Sequence, residues 1–394
     1  MSIVLLALLA QASRVTAVFG GDVIPHEPVK LAARQNDRLV EIDGARVGAS
    51  HGGWDHVVGP LASVFQGAQL AVVNLETPIT ALQATERGEK TFSAGPDLLA
   101  SLKHAGVSVV SFANNHCLDQ HREGIVSTRA LAQHAGLWCV GAGASEAEAW
   151  SPLFIERGGF RFALISFTRW LNGHSNLKDP SQPHVPVVAY SDDPQAGSRS
   201  VDQLVALVKQ VATQADVVVI NAHWGEEYET QPRPADRALA RALINAGATL
   251  IIGHHPHVLQ PVEVMTRDDG SRGVVAFSLG NLVSNQDSED PDGAKRDGLL
   301  LGVTLERAGP DERVRIVRLT PSAVFTENRP ASPGQRRSVQ AVLLDDELAA
   351  MEARVIELSA RADPQSRVEK RQLLERRGLA VQRRARIVKL MPEL

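Results

Sequence analysis

The chain has 394 residues, enough for one large domain or two smaller ones, and its 44% hydrophobic content suits a soluble globular protein. Its 41 Lys and Arg nearly balance 45 Asp and Glu, leaving a net charge of −4, so charge gives no reason to expect a nucleic-acid partner. With only two cysteines, Cys117 and Cys139, the chain is neither a disulfide scaffold nor a cysteine-ligated zinc protein, and both are expected to be buried free thiols.

Residues 3–10 are apolar, and Ala10-Gln11-Ala12 fits a small-residue cleavage site. Residues 1–12 therefore read as a signal peptide, with export to the periplasm or cell envelope expected; the alternative is an irregular N-terminal strand or helix of a cytoplasmic protein. No Lys or Arg precedes the apolar run, which is too short to cross a bilayer, and no other stretch is a transmembrane candidate. A first core strand is predicted over 15–19, ending in Gly20-Gly21-Asp22. Residues 25–56 read as loop and surface, with His26, His51 and His56 exposed. A second strand, 70–73, closes on Asn74-Leu75-Glu76, and Pro78 stops the ladder.

A helix is predicted over 96–104 with Leu98, Leu99 and Leu102 inward and Gly106 as its left-handed stop. The strand 107–113 follows and ends in Asn114-Asn115-His116. A side-chain oxygen of Asn can bind a metal, and His116 can carry a proton. The order of helix, Ala-Gly, strand and polar residues recurs at 131–141 and 243–253, an α/β signature. A hairpin is predicted from 152–156 and 160–167 around Gly158-Gly159, then a surface insertion over 179–197. Helix 201–214 leads to strand 216–220, which ends in Asn221-Ala222-His223. Helix 234–246 leads to strand 248–252 and to Gly253-His254-His255-Pro256-His257.

That last stretch puts three imidazoles within four positions, just past a strand end, where open α/β sheets place ligand sites. A neutral imidazole nitrogen binds metal without adding charge. Pro256 is expected to hold its predecessor extended. The His-x-His spacing suits one ring per ion of a dinuclear centre; the rival reading is a solvated histidine-rich turn. Antiparallel strands 258–265 and 273–277 are then predicted around Asp268-Asp269-Gly270, leading to Ser278-Leu279-Gly280-Asn281. An acidic loop over 285–298, strands 299–306 and 314–319, and a linker over 327–337 follow. From 338 to 394 two or three helices are expected, with Arg376, Arg377, Arg383, Arg384 and Arg386 on a solvated face rather than on a polymer or membrane. His104, His121, His134, His174 and His184 are read as surface residues, and Trp170 and Trp224 as packing.

The ordered set Gly-Gly-Asp22, Asn74-Leu75-Glu76, Asn114-Asn115-His116, His223-Trp224-Gly225, Gly253-His254-His255-Pro256-His257 and Ser278-Leu279-Gly280-Asn281 resembles the CapA-type poly-gamma-glutamate capsule proteins, a branch of the calcineurin-like metallophosphoesterases. The resemblance runs from Val15 to Leu319. It implies a four-layer α/β/β/α sandwich over residues 13–326, with a C-terminal helical extension over 338–394. It also implies two divalent metal ions (Mn, Fe or Zn). Asp22 and His257 would hold the first, Asn115, His223 and His255 the second, and Glu76 would bridge them. His116 would be the proton donor, and Asn74, His254 and Asn281 would contact substrate. Two positions depart from the wider superfamily: Ile24 stands where a histidine ligand is usual, leaving His26 or water to replace it, and Glu76 stands for a bridging aspartate.

Two functions follow as expectations. One is a metal-dependent hydrolase or transferase acting on an anionic polymer, a phosphoester or a peptide, alongside membrane-associated polymer-synthesis proteins. The other is a non-catalytic component that holds the polyanion during assembly. The retained His116 and histidine cluster favour the first, and Ile24 favours the second.

Overall fold

The strands over 70–75, 217–223 and 250–254 are buried on both faces, so both faces must be covered. The computed structural model describes residues 12–42, 45–81, 91–190, 197–286, 293–309, 312–329, 338–361 and 363–393; the expected signal peptide falls almost wholly outside them. In chain order come β1 (Ser13–Val23), α1 (Glu27–Asn36), the hairpin β2 (Leu39–Ile42) and β3 (Ala45–Gly48), α2 (Trp54–Val58), α3 (Ala62–Gln66), β4 (Leu70–Leu75), α4 (Asp97–Ala105) and β5 (Val109–Ser111). There follow α5 (His121–His134), β6 (Trp138–Val140), α6 (Glu146–Ala149), β7 (Leu153–Arg157), β8 (Phe160–Thr168), α7 (Val201–Ala212), β9 (Val217–His223), α8 (Pro234–Asn245) and β10 (Leu250–His254). The chain ends with β11 (Val262–Thr266), β12 (Arg272–Ala276), β13 (Asn281–Val283), β14 (Asp297–Arg307), β15 (Arg315–Arg329), β16 (Ser338–Leu343), α9 (Leu344–Ser359) and α10 (Pro364–Val388).

An eight-stranded sheet runs β16-β15-β14-β1-β4-β5-β6, with β13 also on β1, and a six-stranded sheet runs β11-β12-β10-β9-β8-β7. Alternation sorts each strand's side chains between two cores. Ala17 and Phe19 of β1, Val72 of β4, Val219 of β9 and Ile252 of β10 meet between the sheets. Val18, Ala71 and Val73 turn outward to Val29 of α1 and Leu98 and Leu102 of α4. Val218, Ile220 and Ile251 turn outward to Leu204 and Val208 of α7 and Leu239 and Leu243 of α8. The layers are thus helix, sheet, sheet, helix. Strands β1, β4, β5 and β6 run parallel, as do β8, β9, β10 and β12, so each sheet gathers its C-terminal strand ends along one edge.

Several expectations need correction. Residues 25–56 are not mainly loop: α1 forms because Val29, Ala32 and Ala33 share one buried face at helical spacing, although charged residues interrupt them. Residues 258–261 are outside any strand. β15 extends through the start of the expected linker, and β16 pairs antiparallel with it, so the sheet continues beyond residue 326 before two helices follow. His184 is fully buried: its backbone pairs with Gly143 and its ring lies at the carbonyl of Gly197. Of the arginines singled out on α10, Arg376, Arg377, Arg384 and Arg386 stay on a solvated face as expected, each also paired with an acid of the chain, whereas Arg383 is largely buried. Arg383 and Arg386 reach the buried Asp297 at 2.6 and 2.5 Å, Arg376 reaches Glu327 at 2.7 Å, and Arg384 pairs with Asp345. Both cysteines are free, as expected, and Cys117 is buried. No helix among the described residues is long and apolar enough to cross a membrane.

Candidate metal centre

The parallel registers bring the polar strand ends together. Asp22 lies beside Asn74 of β4 and Asn281 of β13, and His223 lies beside His254. Close backbone approach fixes two of the glycines that precede these residues. A Cβ on Gly21 would stand 2.0 Å from the Gly280 carbonyl oxygen, and one on Gly253 would stand 1.9 Å from that of Phe277. After Gly253 the chain does not run extended as Pro256 led us to expect. His255 and His257 take φ of 96° and 58°. The turn aims the His255 N–H at Asp22 Oδ2, 3.2 Å away, and such uncommon backbone is the kind that functional sites retain.

Asp22 and Glu76 have no solvent exposure, and Asn115, His223, His254, His255 and His257 have 3% or less. Asp22 takes the Asn74 amide at 2.8 Å and faces Nδ1 of His254 at 3.1 Å and Nδ1 of His257 at 3.3 Å. Nε2 of His223 lies 2.8 Å from Asn115 Oδ1 and 3.5 Å from Glu76 Oε1. Glu76 Oε1 accepts no hydrogen bond, and Nε2 of His257 is 3.9 Å from it. Two sets of donor atoms cluster tightly, Asp22 with Glu76 and His223, and Glu76 with His255 and His257, and Glu76 belongs to both. These sets exchange His223 and His257 relative to the division the resemblance implies, but the contacts Asp22–His257 and Asn115–His223 bind the same residues into one cluster.

Burial sets the electrostatics. It raises the Glu76 carboxyl well above its ordinary range, and the nearby Asp22 adds to the rise. Burial also acts to raise Asp22, but hydrogen bonds and charge from His254 and His257 outweigh it and hold Asp22 well below. Burial pushes His223 and His255 well below the usual imidazole range, helped by their neighbouring rings, so both are neutral donors at pH 7. Neutral imidazoles, an amide oxygen and two sequestered carboxylates, one with an unpartnered oxygen, are a donor set that suits a pair of divalent cations.

Every site residue singled out in the sequence lies at or beside this cluster, and three of those outside the ligand set meet its ligands directly. Asn74 and His254, expected to touch substrate, lie against Asp22 and orient it. Asn281 braces the histidine turn: its Oδ1 lies 3.2 Å from His257 Nδ1, and its amide donates to the carbonyls of His257 and Lys295 at 3.2 and 2.7 Å. Ile24 is buried, and His26 stands outside both tight donor sets, its Nδ1 accepting the Asn285 N–H at 3.2 Å.

Two supporting residues escaped the sequence reading. Asp119 lies 2.8 Å from His116 Nδ1 and also accepts the Phe92 N–H at 2.7 Å. A carboxylate there favours the imidazole tautomer with its proton on Nδ1. Its signal was the acid three residues after His116. Asn172 accepts the Asn115 amide at 3.0 Å, which turns Asn115 Oδ1 towards His223; its loop position gave no signal.

Known proteins are similar to this chain in sequence. A family model described as "Bacterial capsule synthesis protein PGA_cap" matches residues 16–286. "Capsule biosynthesis protein CapA" of Bacillus anthracis is 32% identical over 247 residues, 59% of this chain and 55% of that one. "PGA biosynthesis protein CapA" of Bacillus subtilis (strain 168) is 30% identical over 274 residues, 69% of this chain and 63% of that one. The chain thus spans less than two thirds of the length of either relative. Among solved structures, the Haemophilus influenzae NAD nucleotidase NadN superposes with a TM-score of 0.43 at 9% identity, covering 84% of this chain and 60% of that one. The family match takes in the strand ends from Asp22 to Asn281, and on it the chain belongs to the bacterial capsule synthesis protein PGA_cap family.

Proposed function

We propose that the strand-end cluster holds two divalent cations and that the protein hydrolyses or transfers an anionic substrate during the synthesis of a surface polymer of the poly-gamma-glutamate type. The observation that carries this reading is Glu76, buried, common to both donor sets, and with one oxygen left without a hydrogen-bond donor. Asp22, Glu76, Asn115, His223, His255 and His257 would hold the cations. When bound, such ions act as Lewis acids and lower the pKa of a coordinated water towards 7. The chain's own part is proton transfer and positioning. His116, with Nδ1 held by Asp119, delivers a proton from Nε2 to the leaving group. Asn172 fixes the rotamer of Asn115, and Asn74 and His254 fix Asp22. Export to the cell envelope accords with the apolar start of the chain.

Elemental analysis tests the cations: Asp22→Ala, Asn115→Ala and His257→Ala should each lower bound metal, and unchanged content in all three removes the assignment. Bis-p-nitrophenyl phosphate with added Mn tests turnover. His116→Ala should abolish it, and Asp119→Asn should lower kcat more than KM. One observation favours a second reading, a component that holds a polyanion without turning it over: Ile24 is buried where an imidazole ligand would stand, and His26 lies outside both donor sets. Full metal content with no turnover of any phosphodiester or γ-glutamyl substrate would support it.

A further inference from the structure

Beyond β8 the chain places Arg169 next to the metal centre but outside its donor set. The Arg169 N–H donates to the His223 carbonyl at 3.1 Å, which anchors its backbone to the end of β9. Its side chain lies over the ring of Tyr190. Arg169 is only 4% exposed, yet Nε and Nη1 are both buried without an acceptor. Guanidinium donors left unmade in a protein interior cost free energy, and a site that keeps them does so most readily when a ligand supplies the acceptor.

The carboxyl of Asp236 is close enough to act on the charge of Arg169 without bonding Nε or Nη1, and the surroundings hold the guanidinium in place. It stacks 3.9 Å over the ring of Tyr190, and Arg233 sits 4.4 Å from the same ring. The Tyr190 hydroxyl accepts the Gly225 N–H at 2.7 Å and donates to Asp236 Oδ2 at 3.2 Å. That second bond fixes Asp236 by way of the phenol rather than by way of Arg169. Burial raises the Asp236 carboxyl above its ordinary range, against the pull of Arg169 and Tyr190. Arg169 borders a cavity of about 690 Å³, whose wall also includes Tyr190, Arg199, Ser200, Ala235 and Leu239. Arg199 is held there by stacking 4.3 Å over Trp150. Asp202 is the one carboxylate on the wall among the described residues, against the two arginines. The first turns of α7 and α8 both border the cavity, and each presents the positive end of its dipole. The apolar part of the wall suits a carbon skeleton, and the volume lies within the range of small-molecule sites.

We propose that this cavity binds an organic oxyanion, a carboxylate or a phosphate on a short carbon chain, with Arg169 as the anchor and Arg199 at the rim. A planar guanidinium meets either group with two parallel hydrogen bonds. The cavity is separated from the metal centre by two stacked rings. Tyr190 lies 6.1 Å from Trp170, and the edge of Trp170 meets His255 at 4.2 Å. A bound chain would therefore lie beside the cluster without displacing any of its donors. The site stands whether or not the strand-end cluster turns anything over.

The test is titration calorimetry on the full chain, stripped of metal with EDTA so that the strand-end cluster contributes no cation. The probes are γ-glutamylglutamate and inorganic phosphate, run separately. Saturable binding of the dipeptide that weakens at least about tenfold in Arg169→Met identifies a carboxylate site. The same result with phosphate alone identifies a phosphate site. Arg169→Met should keep the wild-type near-ultraviolet circular dichroism and, after reconstitution, its metal content. If that variant does not fold, Arg199→Ala decides: binding weaker by about threefold or more upholds the site, and unchanged affinity overturns it. Absence of saturable binding of both probes to the wild-type chain, or equal affinity in folded Arg169→Met, also overturns it.

Discussion

Replacing Glu76 by Gln should move two properties in opposite directions. In the metal-free protein Glu76 is a fully buried acid whose Oε1 has no donor and whose nearest charged neighbour is the buried Asp22. Sequestering a carboxylate without a full set of partners costs roughly 1–3 kcal/mol. Gln has the same shape. Its oxygen can keep the Asn74 amide, 3.3 Å from Oε2, and its NH2 can face the ring nitrogens of His223 and His257 at 3.5 and 3.9 Å. Metal-free Glu76→Gln should therefore be more stable than wild type by about 1–2 kcal/mol, a gain of a few degrees in Tm. The gain has a pH signature. Because the folded pKa of Glu76 is raised above 4.5, its burden is absent in acid, builds as pH rises from about 4.5 towards the folded value and is constant above it, so the advantage of Gln should be larger at pH 8 than at pH 5. Divalent metal at about 100 times Kd should stabilise wild type by about 2.7 kcal/mol, and the variant, lacking the ligand shared by both sets, should lose most of that increment. Differential scanning calorimetry with and without MnCl2 measures both effects. A variant that is less stable than wild type without metal, or that keeps the full metal-induced shift, would refute the reasoning.

The remaining predictions concern pH, the C-terminal brace and the turn before the histidines. Burial first, then His257, His116 and Lys30, push His26 down to about 4. Its contribution to stability is therefore complete above pH 6.5 and is lost as pH falls towards 4, and His26→Gln should lower the pH 7 to pH 5 loss in urea-derived stability by about 2 kcal/mol. Asp297→Asn leaves Arg383 and Arg386 without their buried carboxylate and should cost about 2–4 kcal/mol; hydrogen exchange in residues 364–388 should speed up, and unchanged exchange there counts against the brace. Gly253→Ala should cost more than about 3 kcal/mol or abolish soluble expression, since its Cβ would meet a backbone oxygen at 1.9 Å; wild-type Tm in that variant would contradict the geometry.

What could be read from the chain alone followed from where apolar runs stop. Asp22, Glu76, His116, His223 and His255 each fall just after such a run, and in a parallel sheet all those ends share one edge, so their convergence was readable. Their orientation was not. The roles of Asn74, His254 and Asn281 depend on which neighbour each side chain meets across the sheet, and one-dimensional order does not record that. Asp119 and Asn172 act from loops, and Arg169 acts through a cavity formed by segments far apart in the chain. α1 was overlooked because its buried face is small, with Ala32 and Ala33 beside Val29. β16 was overlooked because the charged helices after it dominate the composition of the C-terminal stretch.

The grip of α10 on Asp297 reaches further than the helix itself. Two residues earlier, the Lys295 carbonyl takes the amide of Asn281, whose oxygen meets His257. A chain cut after β16 would keep every candidate ligand, yet the relay that positions the last of them would lose its far support. An assay of metal loading on such a shortened chain would therefore report on its missing brace as well as on its histidines.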